Sequence, residues 1–218
     1  MKELKETIKR YKWCILLVSF SIIASFSKYA FKDQCEINNK YNRYIVYDLN
    51  LELKYWSVKS ELIDSINSYL TEVAPDNNLS SLILLNECLN HNIDLILVIT
   101  QAQKESHFGT KGLGFKTNSV WNVGAYDGYK EGEINKVYKY PHVNESIEPY
   151  LKLLKERYLV NKTESDLLVK FTDVNDKRFA SYIHYESDLS RLYSKICDET
   201  KIDDLYKKLM SIQNELNY

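Results

Sequence analysis

The sequence lacks an excess of charge of either sign. Its 218 residues include 29 basic and 30 acidic side chains, which gives a formal net charge of −1. Proteins that bind DNA or RNA usually present a surplus of Lys and Arg to the phosphates, often as a stripe on one face. The sequence shows no such stripe, so we expect no nucleic-acid partner. It also contains no internal repeat and no low-complexity stretch.

Metal-binding patterns are missing as well. The four cysteines, at positions 14, 35, 88 and 197, form no Cys-x-x-Cys pair and no cluster with histidines. Structural zinc sites need such ligand spacings, so we expect no metal and no cofactor. Cys88 and Cys197 lie in apolar helical contexts, which indicates small core residues. A disulfide between them in an oxidising compartment is an alternative that the sequence leaves open.

No apolar run reaches full transmembrane length. The first twelve residues carry five basic and two acidic side chains, and the next fourteen, residues 13–26, carry no charge. A spanning helix needs about 20 apolar residues, so this shorter run suits a signal peptide, and Ser25 and Ser27 have the spacing of a cleavage site. Extension through Phe31, with Lys28 reaching the membrane surface, would instead give a tilted anchor.

Residues 1–31 are therefore predicted to be a signal anchor or a signal peptide. We favour the anchor because the segment has no Ala-x-Ala cleavage site. In both cases the basic flank stays in the cytoplasm. The rest of the protein is then membrane-anchored or exported, and the membrane is a partner through the hydrophobic segment. The expected location of the main domain is the periplasm or cell envelope.

The remainder of the chain is predicted to be a linker followed by one domain. Residues 32–55 are polar and rich in Asn, which favours a linker or stalk. Residues 56–218 contain several stretches in which apolar residues recur at helical spacing. These stretches predict helices at about 56–73, 80–90, 95–105, 147–158, 165–171, 185–196 and 202–216.

All six glycines lie between Gly109 and Gly132. Short aromatic and β-branched runs separate them, which predicts a loop and a small β-hairpin with residues 130–133 near its turn. The predicted fold class is mainly α (α+β): a helical domain with a small β-hairpin lobe, preceded by the N-terminal hydrophobic helix. Such an arrangement places a groove between the helical body and the lobe.

Glu105 is the strongest candidate for a catalytic residue. Leu95, Val98, Ile99, Ala102 and Glu105 fall at three- and four-residue intervals, so they share one face of a helix that ends at a glycine-containing loop. A carboxyl group on this core-facing stripe is poorly hydrated, and it lies at the negative end of the helix dipole. Both effects raise its pKa, as a general acid working near neutral pH requires. The alternative is a surface glutamate near a helix end.

Four short motifs, covering about residues 93–196, resemble one enzyme family. Glu105–Thr110 (Glu-Ser-His-Phe-Gly-Thr) is similar to the Glu-Ser-Gly-Trp-Gly-Thr/Lys motif of family 73 glycoside hydrolases, the bacterial and phage N-acetylglucosaminidases of the lysozyme-like superfamily. The other motifs follow in the family's order, at Asn118–Gly124, at Tyr138–Tyr150 and at Phe179–Tyr185.

The resemblance implies a lysozyme-like domain that cleaves β-1,4 glycosidic bonds in the glycan chain of peptidoglycan. Glu105 would protonate the leaving oxygen. The family's second carboxylate comes from the β-lobe, where this chain has Asp127, Glu131 and Glu133. We favour Glu131 or Glu133 as catalytic partners of Glu105. Two alternatives remain open: these residues are solvated turn charges, or the N-acetyl group of the substrate takes the place of a second carboxylate.

The chain departs from the family pattern at several positions. His107 and Phe108 stand where the family has Gly and Trp, and Phe179 stands where it usually has a tyrosine that assists the reaction. Tyr182 or Tyr185 could replace that lost hydroxyl. His107 could bind substrate, but we favour a cap at the helix C-terminus, where a histidine interacts well with the dipole.

Aromatic and polar residues around these motifs are candidates for substrate binding. The rings of Trp121 and three tyrosines could stack on sugar faces, although Trp121 could equally be a core residue. The complete set of predicted substrate-binding residues is Trp121, Asn122, Tyr126, Tyr140, Tyr182 and Tyr185.

Two other functions stay open at this point. A lytic transglycosylase or muramidase of the goose-lysozyme type also uses Glu-Ser after an apolar helix, but Gly112–Phe115 matches its downstream Gly-Leu-Met-Gln segment poorly. A non-catalytic glycan-binding protein on a lysozyme-like scaffold would explain the missing family tyrosine.

Overall fold

The computed structural model describes residues 28–124, 133–134 and 137–216. The apolar run of the predicted N-terminal helix, residues 13–26, lies outside the described residues, so its role stays a prediction. Among the helices of the described ranges, none combines the length and the apolar character that crossing a membrane requires.

The first described element is α1, a helix of 46 residues at Lys28–Val73. It is helical throughout the predicted linker, residues 32–55. The chain divides into two compact units after Leu53, and α1 contributes residues to both. Within the second unit, its apolar stripe is buried as the spacing predicts, at Val58, Leu62, Ile66 and Leu70. The helix ends just before Pro75, consistent with the steric restriction that a proline places on the preceding residue.

The second unit, from Lys54 onwards, is mainly helical in its described residues, which confirms the predicted helical class. A 3-10 turn at Val143–Ser146 and a π-helical turn at Leu154–Tyr158 flank one of its helices. The helices after α1 are α2 Ser81–His91, α3 Leu95–Ser106, α4 Gly112–Thr117, α5 Ile147–Leu153, α6 Glu164–Val169, α7 Tyr185–Glu199 and α8 Ile202–Leu216.

Helix α3 lies at the centre of this unit and packs against α2, α4, α7 and α8. Every residue from Leu95 to Ala102 is buried, so the helix has no solvent-facing side over this length. It begins at Asp94, whose carboxylate accepts hydrogen bonds from the backbone N–H groups of Ile96 (2.7 Å) and Leu97 (3.4 Å), as an N-cap residue does. A helix buried on all sides provides a rigid base for the residues at its end.

The C-terminal end of α3 is closed by two residues in the left-handed conformation. His107 has φ 53° and Phe108 has φ 59°, and their N–H groups donate to the carbonyl oxygens of Gln103 and Ala102. The predicted position of His107 as the helix cap is confirmed, and its bonding comes from the backbone. The chain thus leaves the helix sharply, two residues after Glu105.

The predicted β-hairpin is present but short. Strands β1 (Glu133–Ile134) and β2 (Val137–Tyr138) pair antiparallel, with Glu133 opposite Tyr138 and Ile134 opposite Val137. An isolated bridge also joins Gly124 to Val137. Glu133, expected near the turn, is instead the first residue of β1.

Candidate functional site

The stripe that ends at Glu105 is present in the structure. Leu95, Val98, Ile99 and Ala102 are fully buried, and Glu105 follows them on the last turn of α3 with partial exposure. Because the apolar spacing placed Glu105 on the core-facing side, the prediction about its position is confirmed. The side chain leaves the core at the point where the helix ends.

Two neighbouring side chains hold the Glu105 carboxyl group. The Tyr185 hydroxyl donates to Oε1 at 2.7 Å. The Asn122 amide nitrogen lies 3.3 Å from Oε2 and 3.2 Å from the backbone carbonyl oxygen of Glu105. Because a carbonyl oxygen can only accept a hydrogen bond, the Asn122 group that faces the Glu105 backbone carbonyl must be the NH₂ group and not the amide oxygen. Oε1 thus accepts a short hydrogen bond from Tyr185, whereas Oε2 accepts a longer one from Asn122.

Burial determines the direction of the Glu105 pKa shift. Removal of the carboxyl group from water raises its pKa above the usual value for a glutamate. The hydrogen bonds from Tyr185 and Asn122, together with the nearby positive charge of Lys104, act in the opposite direction without cancelling the effect of burial. Glu105 therefore keeps its proton to a higher pH than an exposed glutamate, as the sequence predicts.

A chain of buried hydrogen bonds continues from Tyr185 into the core. The Gln101 side-chain NH₂ donates to the Tyr185 hydroxyl oxygen at 3.1 Å. The Tyr150 hydroxyl in turn donates to the Gln101 side-chain oxygen. Gln101 and Tyr150 are both 0% exposed. Polar groups of three helices, α5, α3 and α7, are thus joined in one line that ends at Glu105.

Ser106, the residue after Glu105, connects the end of α3 to the loop that carries Asn122. Its hydroxyl donates to the carbonyl oxygen of Val120 at 2.6 Å and accepts from the N–H of Gly109 at 2.8 Å. Asn122 has φ 54°, a left-handed conformation that asparagine tolerates better than most residues. These contacts place the Asn122 amide beside the carboxyl group.

Gly114 allows α4 to approach the same serine. A β-carbon at this position would lie 2.8 Å from the Ser106 Oγ and 3.2 Å from the carbonyl oxygen of Ser119, and closer still to the Ser106 Cβ. Only glycine fits this contact without a shift of the backbone. The packing of α4 therefore helps to fix the loop beside Glu105.

Two predicted sugar-stacking residues lie in the core. Trp121 is 1% exposed, stacks on Tyr150 with ring centroids 4.5 Å apart, and donates from Nε1 to the carbonyl oxygen of Val98. Tyr140 is 4% exposed. In this structure neither ring offers a face to a sugar, which corrects the stacking prediction for both and favours the core alternative for Trp121.

The other predicted binding residues have different surroundings. The Tyr185 ring is buried against Phe171 and Phe179, which corrects the stacking prediction for this residue as well, and only its hydroxyl reaches the site. Tyr182 is exposed, and the Lys104 ammonium lies 5.6 Å from its ring centroid. Asn122 contacts Glu105 directly, and its Oδ1 is buried without a hydrogen-bond partner among the described residues.

The second carboxylate stays a prediction. Tyr126, Asp127 and Glu131 lie outside the described residues, and Glu133 is described only as the first residue of β1. Within the described ranges, no group of His, Cys, Asp and Glu side chains could hold a metal ion. Cys88 and Cys197 are free thiols, so the structure does not contain the disulfide that the sequence left open.

Gln101 and Tyr150 were missed by the sequence analysis. Gln101 offered a weak signal, because it is a polar residue one helical turn before Glu105 in a largely apolar stretch. Tyr150 ends one of the family-like motifs, but it also falls on an apolar helical stripe and its hydroxyl partner is 49 residues away in the chain, so nothing local linked it to Glu105.

No known family model matches this chain, and a search of curated proteins found no match to it. The residues around Glu105 and the short motifs that contain them are therefore the features that indicate a function.

Proposed function

We propose that this protein is a peptidoglycan hydrolase of the endo-N-acetylglucosaminidase type, with a lysozyme-like domain and Glu105 as the general acid. The observation that carries the proposal is the environment of Glu105: a largely enclosed carboxyl group with a raised pKa, held by two donors at the end of a rigid helix. The resemblance of Glu105–Thr110 to the family 73 motif supplies the bond type and the substrate.

The two carboxyl oxygens of Glu105 have different roles in this proposal. Oε1 accepts the 2.7 Å hydrogen bond from Tyr185, which leaves Oε2 to carry the acidic proton. Oε2 gives this proton to the glycosidic oxygen as the bond to the leaving sugar breaks. The Asn122 amide, 3.3 Å away, then donates to the negatively charged Oε2 that remains. General acid catalysis of this kind contributes roughly 10²–10⁴-fold to the rate.

The other half of the reaction requires water activation. Glu131 or Glu133 is the proposed base if the mechanism is inverting, with the two carboxylates about 6.5–9.5 Å apart. A retaining mechanism needs about 5–5.5 Å, and assistance by the N-acetyl group needs no second carboxylate.

Activity on isolated peptidoglycan tests the proposal. We expect zymograms and reducing-end assays to show clearing by the wild type and a loss of about 10²–10⁴-fold in Glu105→Gln, which keeps the shape of the side chain and removes the acid. Glu156→Gln is the matched control, because Glu156 is exposed on the π-helical turn, away from Glu105 on α3. Equal clearing by the wild type and Glu105→Gln would refute the catalytic role.

Mass spectrometry of the released fragments identifies the bond and separates the alternatives. New reducing ends on N-acetylglucosamine support the proposed specificity, whereas new reducing ends on N-acetylmuramic acid mean a muramidase. Ends of the 1,6-anhydro type mean a lytic transglycosylase. Binding to peptidoglycan without new ends, by both the wild type and Glu105→Gln, means a non-catalytic glycan-binding protein.

The proposed place of action is the cell envelope. This part of the proposal rests on the charge-free run at residues 13–26 and the basic residues before it. Peptidoglycan is found outside the cytoplasmic membrane, so an exported or membrane-anchored domain would meet its substrate there.

A further inference from the structure

In the hydrogen bonds that link Tyr150, Gln101 and Tyr185 to Glu105, each group acts as donor or acceptor in a defined order. The amide of Gln101 has one donor end and one acceptor end, and each faces a tyrosine hydroxyl: the NH₂ group faces Tyr185 and the oxygen faces Tyr150. If this amide were reversed, its oxygen would face Tyr185 and its NH₂ group would face Tyr150. The Tyr150 proton would then have no acceptor in a fully buried position, which is costly.

The orientation of Gln101 fixes what the Tyr185 hydroxyl can do. Its oxygen accepts from Gln101, so its own proton is available for Glu105 Oε1. If a protonated Glu105 instead donated to this hydroxyl oxygen, the Tyr185 proton would lose its acceptor, because Gln101 presents its NH₂ group there. The acidic proton is therefore kept away from the core and on the side of Oε2.

We propose that Gln101 and Tyr150 are positioning residues for the general acid: together they hold the Tyr185 hydroxyl as a donor to Glu105, so that the acidic proton resides on Oε2. This inference rests on the proposed function of Glu105. Neither residue touches the reacting atoms, and both act through Tyr185. The line of four side chains, Tyr150, Gln101, Tyr185 and Glu105, thus extends the site into the core.

Other groups around Glu105 affect its charge but do not explain this orientation. On its own helix, the Lys104 ammonium lies near the carboxyl group and is paired with Asp188 of α7 at 3.1 Å. Among the described elements, the titratable groups that face Glu105 from other helices are Tyr185 of α7 and Tyr150 of α5. Asn122 contributes an uncharged donor to Oε2.

The experiment measures the proton affinity of Glu105 in the full-length protein. The readout is the pH titration of the ¹³C-labelled Glu side-chain carboxyl signals, with the Glu105 signal identified by its absence in Glu105→Gln. Tyr185→Phe should raise the proton affinity of Glu105 about tenfold or more, because it removes a hydrogen bond to the ionised form.

Tyr150→Phe and Gln101→Met are the decisive variants. Each should raise the proton affinity by a smaller factor, about two- to threefold, since the Tyr185 donor remains but is no longer held in one direction. Tyr150→Phe is the more conservative change, because it keeps the ring that stacks on Trp121. This variant therefore keeps the inference testable even if Gln101→Met fails to fold.

Tyr206→Phe is the matched control. Tyr206 is also largely buried, and its hydroxyl donates to the carbonyl oxygen of Ile93 at 3.0 Å, so its loss should lower stability but leave the Glu105 titration unchanged. An unchanged titration in Tyr150→Phe would overturn the inference, as would an equal shift in Tyr206→Phe.

The titration separates this inference from the proposed function. If the wild type does not cleave peptidoglycan, the proposed function fails, while the carboxyl titration still reports on the four side chains. If the wild type is active, the basic limb of its pH–activity profile should move to higher pH in Tyr150→Phe, in step with the titration.

Discussion

Gly114→Ala gives a direct test of how the loop beside Glu105 is held. The new methyl group would lie 2.8 Å from the Ser106 Oγ, which is closer than real Cβ atoms come to a neighbour, and 3.2 Å from the Ser119 carbonyl oxygen, which is a tight contact. Its closest neighbour would be the Ser106 Cβ, which is fixed to the backbone of α3 and cannot rotate away. The strain must therefore be relieved by a shift of α4 or of the end of α3.

The change in the free energy of unfolding caused by Gly114→Ala is the sum of two opposing effects. Alanine is favoured over glycine inside a helix by about 1 kcal/mol. Overpacking of a rigid contact costs about 1–3 kcal/mol and occasionally more, and this contact is at the upper end because backbone atoms are involved. We expect the free energy of unfolding to fall by about 2 kcal/mol. For a domain of this size, the melting temperature should then drop by about 4–8 °C.

Thermal unfolding followed by circular dichroism measures this effect. Gly112→Ala is the matched control: it has open space around the new methyl group, and its positive φ of 63° should cost only about 1 kcal/mol. The double variant Ser106→Gly/Gly114→Ala should be more stable than the sum of the single changes predicts, since Ser106→Gly removes the clashing atoms. A Gly114→Ala protein that melts at or above the wild-type temperature would refute the reasoning.

Two further predictions concern α3. Because the pKa of Glu105 is raised in the folded state, its protonated form adds stability that is fully present below the unfolded pKa and is lost as the pH rises through the folded pKa. The melting temperature of Glu105→Gln relative to that of the wild type should therefore rise as the pH increases above the unfolded pKa of a glutamate, and a pH-independent difference would contradict this. Asp94→Ala removes the N-cap bonds to Ile96 and Leu97 and the acceptor of the Tyr193 hydroxyl, so it should lower stability by about 2 kcal/mol. Asp94→Asn keeps the cap, so its loss of stability, measured by urea denaturation, should be less than half of the loss in Asp94→Ala.

Helix boundaries were predictable where apolar spacing and end signals agreed. The last helix, α8, has the predicted bounds of Ile202 and Leu216, because its apolar residues recur regularly along one amphipathic face. The predicted start of α3 at about residue 95 agrees with Leu95, which follows the cap residue Asp94. The position of Glu105 on the core-facing stripe followed from the same periodicity, and its raised pKa followed from its burial.

Features that depend on tertiary contacts were not predictable. Helix α4 contains Gly112 and Gly114, which disfavour helix formation locally, and it packs closely against Ser106. The sequence left Trp121 open between sugar stacking and the core, since an aromatic side chain in a loop has no periodic pattern that distinguishes the two. Gln101 could not be assigned by periodicity either, because α3 is buried on every side at that point.

The line of four side chains that ends at Glu105 has a consequence for how this protein can evolve. Two of its hydrogen bonds join residues that are 49 and 84 positions apart in the chain, so no local segment contains the whole set. Replacement of one member leaves a buried donor or acceptor without a hydrogen-bond partner, at a cost of about 1–3 kcal/mol. We therefore expect changes at positions 101, 150 and 185 to be concerted, with all three residues kept or exchanged together for apolar ones.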